Sequence, residues 1–345
     1  MKKLILTFLL LVAATSSFRT VSAQERPWLK YITPSGYFQT GFSMDNSFNN
    51  TFYIRRARIS LGGGLYEGRF GKLDYKVQAE LAGSPKLVDY FIKYTVNDYF
   101  GVQLGQFKSP LSIENSEFAP LKLEMIDYSL LVQRFVRMSN ADLSGISSTG
   151  REMGIQFYGN LLKMDGDHSL IRYNVAVFNG NGINKSDDDR RKDVVVRMMF
   201  YPVKDLYVSG YYLRSFGPDP GTPPEYHDYD YYIYDRYGGG ISYDGKLAWF
   251  RSEYMAGHTF GWRSQAVYAS LGAKLASNLT VGARYDYFKE NSRSGGWFAN
   301  AQNYVTVGAS WYPIQRFRFQ LNYTYKMDPG VAPVHFFNFM TSIVL

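Results

Sequence analysis

The chain contains no cysteine, so neither a disulfide framework nor a thiolate metal site can hold it together. Past the first two dozen residues, no run approaches the ~18 consecutive apolar residues of a membrane-spanning helix. Catalytic constellations are missing as well. The four histidines, His168, His227, His258 and His335, fall in loops or at strand ends without HExxH spacing. No serine sits in a GxSxG context. No nucleophile, histidine and acid can be gathered on one face, so the expectation is a protein that is not an enzyme and needs no cofactor. A block of charge of one sign is also lacking. Lys and Arg number 38 against 30 Asp and Glu. Leaving out residues 1–23, which carry Lys2, Lys3 and Arg19 and no acid, gives 35 against 30, a net of +5. This mild excess is spread along the chain and does not form the basic face of a nucleic-acid binder.

What is present points to export and to strands. Met1-Lys2-Lys3 is a positive start, Leu4 to Ala14 is apolar, and Val21-Ser22-Ala23 offers small residues for cleavage. Residues 1–23 therefore read as a signal peptide and 24–345 as the mature barrel. Aromatics make up 17%, with 30 Tyr and 25 Phe, yet mean hydropathy is −0.26. Period-two alternation recurs throughout. In one strand Ala57, Ile59 and Leu61 share a face opposite Arg56, Arg58 and Ser60. In the next, Tyr75, Val77 and Ala79 oppose Lys76, Gln78 and Glu80. About sixteen such segments follow one another, the last being His335–Leu345. A fold with one greasy and one polar face, repeated this often, is an all-β transmembrane antiparallel barrel of the bacterial outer membrane. Its expected partners are outer-membrane lipid and the solutes of its bore.

The connections alternate in length. Short turns such as Asn97-Asp98 and Asp244-Gly245 alternate with polar loops such as 179–192, 216–231 and 290–301. One connection stands apart. After Lys108-Ser109-Pro110, about forty residues pass before Glu152, and a long loop in a compact fold is commonly functional. It is expected as the third external loop, folded into the lumen as a constriction. Its charges are Glu114, Glu117, Glu124 and Asp127 against Lys122, Arg134 and Arg137. Leu121, Leu130, Leu131, Val132, Phe135 and Val136 would anchor it, with a short helix near residues 124–137.

Several stretches together resemble the phosphate-selective porin O/P family. They are Tyr53-Ile-Arg-Arg-Ala-Arg-Ile-Ser-Leu61, Gly105-Gln-Phe-Lys-Ser-Pro-Leu111, Arg151-Glu-Met-Gly154, Phe178-Asn-Gly-Asn-Gly182 with Asp187 downstream, and Arg251-Ser-Glu-Tyr254. The resemblance implies a sixteen-stranded outer-membrane porin, a homotrimer, with a ladder of lumen arginines that passes anions.

The face opposite the apolar stripe assigns Arg56, Arg58, Lys76, Lys93, Arg172, Arg197, Arg251, Arg284 and Arg318 to the lumen, with Lys108 at the mouth of the loop. Guanidinium groups suit phosphate because their planar fork binds two oxygens and stays charged. The same face carries Glu80, Asp89, Glu253 and Asp286, so two readings stay open: an anion pathway, or cross-strand pairs that stiffen a non-selective pore. A non-conducting barrel acting in adhesion is a third. Asp187-Asp188-Asp189 could take calcium, but Arg190, Arg191 and Lys192 follow at once and favour a solvated loop.

Overall fold

The computed structural model describes residues 31–164, 168–187, 191–218, 231–259, 262–290 and 301–345. Residues 1–30, which include the expected signal peptide, Asp188 and Asp189, and residues 219–230 of the polar 216–231 loop lie outside them. Sixteen antiparallel strands form the wall. The first eight are β1 (Thr33–Asp45), β2 (Asn50–Gly68), β3 (Gly71–Glu80), β4 (Lys86–Asn97), β5 (Phe100–Lys108), β6 (Arg151–Lys163), β7 (Ser169–Phe178) and β8 (Asp193–Val203). The second eight are β9 (Leu206–Pro218), β10 (Tyr231–Asp244), β11 (Ala248–Thr259), β12 (Trp262–Ala276), β13 (Leu279–Glu290), β14 (Gln302–Ile314), β15 (Phe317–Met327) and β16 (Val334–Val344). Each strand pairs with its sequence neighbours, and β1 closes on β16 from Tyr37↔Val344 to Asp45↔Phe336. Closure leaves no unpaired edge.

Alternation decides what each face meets. On β8, Asp193, Val195, Arg197 and Met199 are buried, while Val194, Met198 and Phe200 are exposed. On β15, Arg318, Gln320, Asn322 and Thr324 are buried, and Leu321 between them is 57% exposed. Tyr75, Val77 and Phe319 lie on the outer side, in register with Leu61 and Leu321 and their neighbours. So much exposed apolar surface would aggregate in water; wrapped around a closed barrel it is the band that faces acyl chains.

Of seven register shifts among the described strand pairs, two bear on the lumen-facing cations. Between β1 and β2, Gln39 pairs with Arg56 but Thr40 pairs with Ile54, so Arg55 is an extra residue. Between β3 and β4, Gln78 pairs with Asp89 and Ala79 with Leu87, which leaves Val88 extra and fully buried. A bulge lets two successive side chains point the same way. Arg55 and Arg56 both use this freedom.

Residues 109–150 join β5 to β6. They hold a first helix (Ile113–Glu117), a 3-10 turn (Pro120–Lys122) and a second helix (Leu130–Phe135). The second falls where the sequence suggests one. The first is too short to stand alone. It persists because the Glu253 carboxylate of β11 accepts from the Ile113 and Glu114 amides at 2.6 and 2.9 Å. The capping is shared: Ser112 at the N-cap accepts from the Asn115 amide at 3.4 Å, and Glu253 of the wall takes the two amides before it.

Candidate functional site

Inward-facing wall residues and the 109–150 connection are bonded together around much of the ring. Glu253 also accepts from the hydroxyls of Ser112, Tyr211 and Tyr268 at 3.0, 3.0 and 2.6 Å. Asp286 of β13 accepts from the Leu130 amide at 3.0 Å, at the start of the second helix. Arg236 of β10 donates to the Phe135 carbonyl at that helix's other end and to Asp142 at 3.0 Å. Cations at the last carbonyls and carboxylates at the first amides oppose the helix dipole correctly at both ends. Leu111, Leu130, Leu131, Val132, Phe135 and Val136 join one apolar cluster with wall residues Phe107, Phe178, Val195, Leu213, Met255 and Phe288. Leu121 is not part of it.

Most of the arginines expected in the lumen are engaged with this connection. Arg197 donates to Glu117 and Ser209 at 2.8 Å and to Ser116. Arg251 reaches Glu124 at 3.0 Å and lies over the Phe118 ring. Arg284 donates to Asp286 at 2.7 Å and to the Asp127 carbonyl at 2.8 Å, with Glu114 at 3.6 Å. Arg318 donates to the Leu123 carbonyl at 3.0 Å. Lys108 donates to the Asn115 and Phe118 carbonyls at 2.6 and 2.8 Å. Lys76 pairs with Asp89 at 2.7 Å, Lys93 stands over Tyr158, and Arg172 lies 3.8 Å from Glu117 and over Tyr201.

The charges expected to face one another across the constriction are divided the same way. Glu114 is buried and accepts from the Ser129 amide and hydroxyl at 2.9 and 2.6 Å. Burial raises its carboxyl above the usual range, and Arg284 and Arg251 offset only part of this. Arg137 is buried among Glu152, Asp193 and Ser215, with 2.8 Å to each carboxylate. Arg134 donates to the Ala141 carbonyl and to Gln302 at 3.1 and 2.7 Å. Lys122 is exposed. Asp187, the described member of the acidic run, pairs with Lys192.

Two cavities of about 330 and 340 Å³ lie against Asp127, Tyr128 and Gln133 of the connection, which line both. The first is walled by β2–β4 and carries Arg55, Arg56, Arg58, Lys86 and Arg151 against Glu80 and Asp127. Arg58 pairs with Glu80 at 2.8 Å and Arg55 with Asp127 at 2.6 Å, while Arg151 pairs with Asp89 at 2.5 Å. Arg56 donates to the Gln39 amide oxygen at 2.8 Å and has no carboxylate partner among the described residues. Burial works against the Asp127 carboxylate, but Arg55 outweighs it and holds the group below its usual range. The second cavity is walled by β13–β16, with Arg134, Arg284 and Lys326 against Asp127 and Asp286 amid Thr306, Asn322, Thr324 and Asn338.

Reading by alternation passes over Arg55, Lys86, Arg151 and Arg236. Strict alternation sends one of Arg55 and Arg56 toward lipid, at roughly 2–4 kcal/mol near the bilayer centre. Two adjacent arginines in an outer-membrane strand were therefore the available signal for a bulge. Arg236 was visible as a strand residue, but the partner that gives it a role, Asp142, is far away in sequence.

The profile of the phosphate-selective porin O and P family matches residues 35–220. No curated protein is matched by the sequence. Among solved structures, an anion-selective porin from Comamonas acidovorans is similar at TM-score 0.69 and 12% identity, over 91% of this chain and 99% of that one. The trimer form of OmpT from Vibrio cholerae gives TM-score 0.67 and 12% identity, with the same coverage. OmpF of Salmonella typhi, solved in complex with daunomycin, gives TM-score 0.69 and 11% identity over 91% and 97% of the two chains. At such low identity these structures speak for the fold alone.

Proposed function

The chain belongs to the phosphate-selective porin O and P family and is an outer-membrane channel rather than an enzyme, and from that footing we propose that it passes small hydrophilic solutes with a preference for anions. The 109–150 connection lies in the lumen and narrows it. In support, its bonds reach β2, β8, β10, β11, β13 and β15, and only from within a closed ring can one segment touch strands on several sides. Solutes then pass through the polar space beside it.

One observation carries the anion preference: the β2–β4 cavity is lined by five cations and two carboxylates, and Arg56 in it is unmatched by any described acid. Fixed cations beside a water-filled path raise the local concentration of anions and replace part of their hydration shell. Arg197, Arg251, Arg284 and Arg318 hold the constriction in place. Phosphate is the finer expectation, since Arg55, Arg56 and Arg58 offer several guanidinium forks in one place.

Reversal potential across a planar bilayer in a KCl gradient tests this reading. Anion selectivity is expected, with phosphate reducing chloride current; a cation-selective reversal potential would overturn it. The pairing of Arg58, Lys76, Arg197 and Arg251 with Glu80, Asp89, Glu117 and Glu124 favours a second reading, a general porin of weak selectivity, for which phosphate would leave chloride current unchanged. A non-conducting adhesive barrel would give no current at all. Export begins with removal of residues 1–23, and the mature chain assembles as a homotrimer, by analogy with the trimeric OmpT. Mass spectrometry of the mature N-terminus and of the intact assembly checks both.

A further inference from the structure

The two cavities share Asp127, Tyr128 and Gln133 of the connection, and we infer that the Arg55–Asp127 pair, which ties this partition to the β2 wall, is a bar across the lumen that sets the channel's size limit. This rests on the lumen being the solute path, and not on the path preferring anions. The bar has two ends. At one, the bulge in β2 turns Arg55 inward, and its guanidinium donates to Asp127 Oδ1 at 2.6 Å. At the other, the Asp127 carbonyl accepts from Arg284 Nη1 of β13 at 2.8 Å. The line Arg55–Asp127–Arg284 thus runs from β2 to β13. On one side of it lies the β2–β4 cavity of about 330 Å³, on the other the β13–β16 cavity of about 340 Å³. Asp127 lines both.

The bar is not part of the packing that holds the connection down. The Asp127 and Arg55 side chains are 46% and 25% exposed, whereas Phe135 and Leu131 of the same connection are buried in the apolar cluster. Water-exposed ion pairs contribute little to stability and weaken with salt. Removing this one should leave the barrel and the anchored helices intact while opening the gap between the β2 wall and the connection.

The charge-neutral variant Arg55→Ala/Asp127→Ala isolates size from charge. Reconstituted channels are probed with neutral polyethylene glycols of graded mass, with conductance as readout. Because the contact between the β2 wall and the connection is lost beside both spaces, the cut-off should shift to larger polymers than the wild type admits. The reversed pair Arg55→Asp/Asp127→Arg rebuilds the bar and should restore the wild-type cut-off. Folding is followed by heat-modifiable gel migration. Should the double variant fail to fold, Asp127→Ala alone removes the wall-to-loop contact and must raise the cut-off by itself. A folded variant with the wild-type cut-off would overturn the bar. So would a reversed pair that admits the same polymers as the double alanine. A cation-selective wild type would sink the anion reading and leave this test standing.

Discussion

The two halves of the wall obey one alternation and put it to different uses. From β5 to β13 the inward positions include Phe107, Phe178, Val195, Leu213, Met255 and Phe288, and the 109–150 connection is packed and bonded onto them. From β14 round to β4 they are Thr306, Asn322, Thr324, Asn338, Gln39, Arg56, Arg58 and Lys86, and here the two cavities beside Asp127 lie; a smaller one of about 260 Å³ stays between β4–β8 and Lys108, Ser116 and Glu117 on the packed side. The contrast shows that an inward-facing arginine carries no fixed meaning. Arg251 and Arg197 lie on the packed side and are neutralised by Glu124 and Glu117, acids that the connection brings to them. Arg56 lies on the open side, where the connection offers it no acid.

The largest test attacks the packed half. Phe135→Ala removes a fully buried ring from the cluster and should cost about 3–5 kcal/mol in urea-induced unfolding. A loss under ~1 kcal/mol would mean the connection is not anchored as described. Next is Glu253→Ala, which strips the shared acceptor from two amides and three hydroxyls. Buried donors left unmatched cost about 1–3 kcal/mol each before relaxation, so the first helix should come loose. Limited proteolysis should then cut within residues 109–150, where the wild type stays whole.

The open half gives smaller but more telling effects. Arg56→Ala removes one unmatched charge beside the path, worth about 1 kcal/mol at contact distance in water, or roughly fivefold in the anion-to-cation permeability ratio. Arg251→Ala/Glu124→Ala deletes a neutral pair and should leave that ratio unchanged. If the two changes shifted selectivity equally, the division of the wall into a packed and an open half would lose its functional meaning. Smallest of all, Lys163→Ala, at an exposed pair with Asp98, should alter stability by less than ~0.5 kcal/mol.

The alternation of side chains was enough to fix the barrel, the strand count, the outer apolar band and the oversized connection after β5. It sufficed because a wall between lipid and water imposes a period of two on every strand, and such a constraint can be read locally. It left unassigned what depends on register and on distant neighbours. Arg55 became an inward residue through a one-residue slip against β1, and Arg151 and Arg236 acquired roles from Asp89 and Asp142. The first loop helix is capped by its own Ser112 and by a carboxylate 140 residues downstream. Which cations stay available to a passing solute was decided by tertiary structure alone. Charge is written in the chain, but its neutralisation depends on which acid the fold brings within reach.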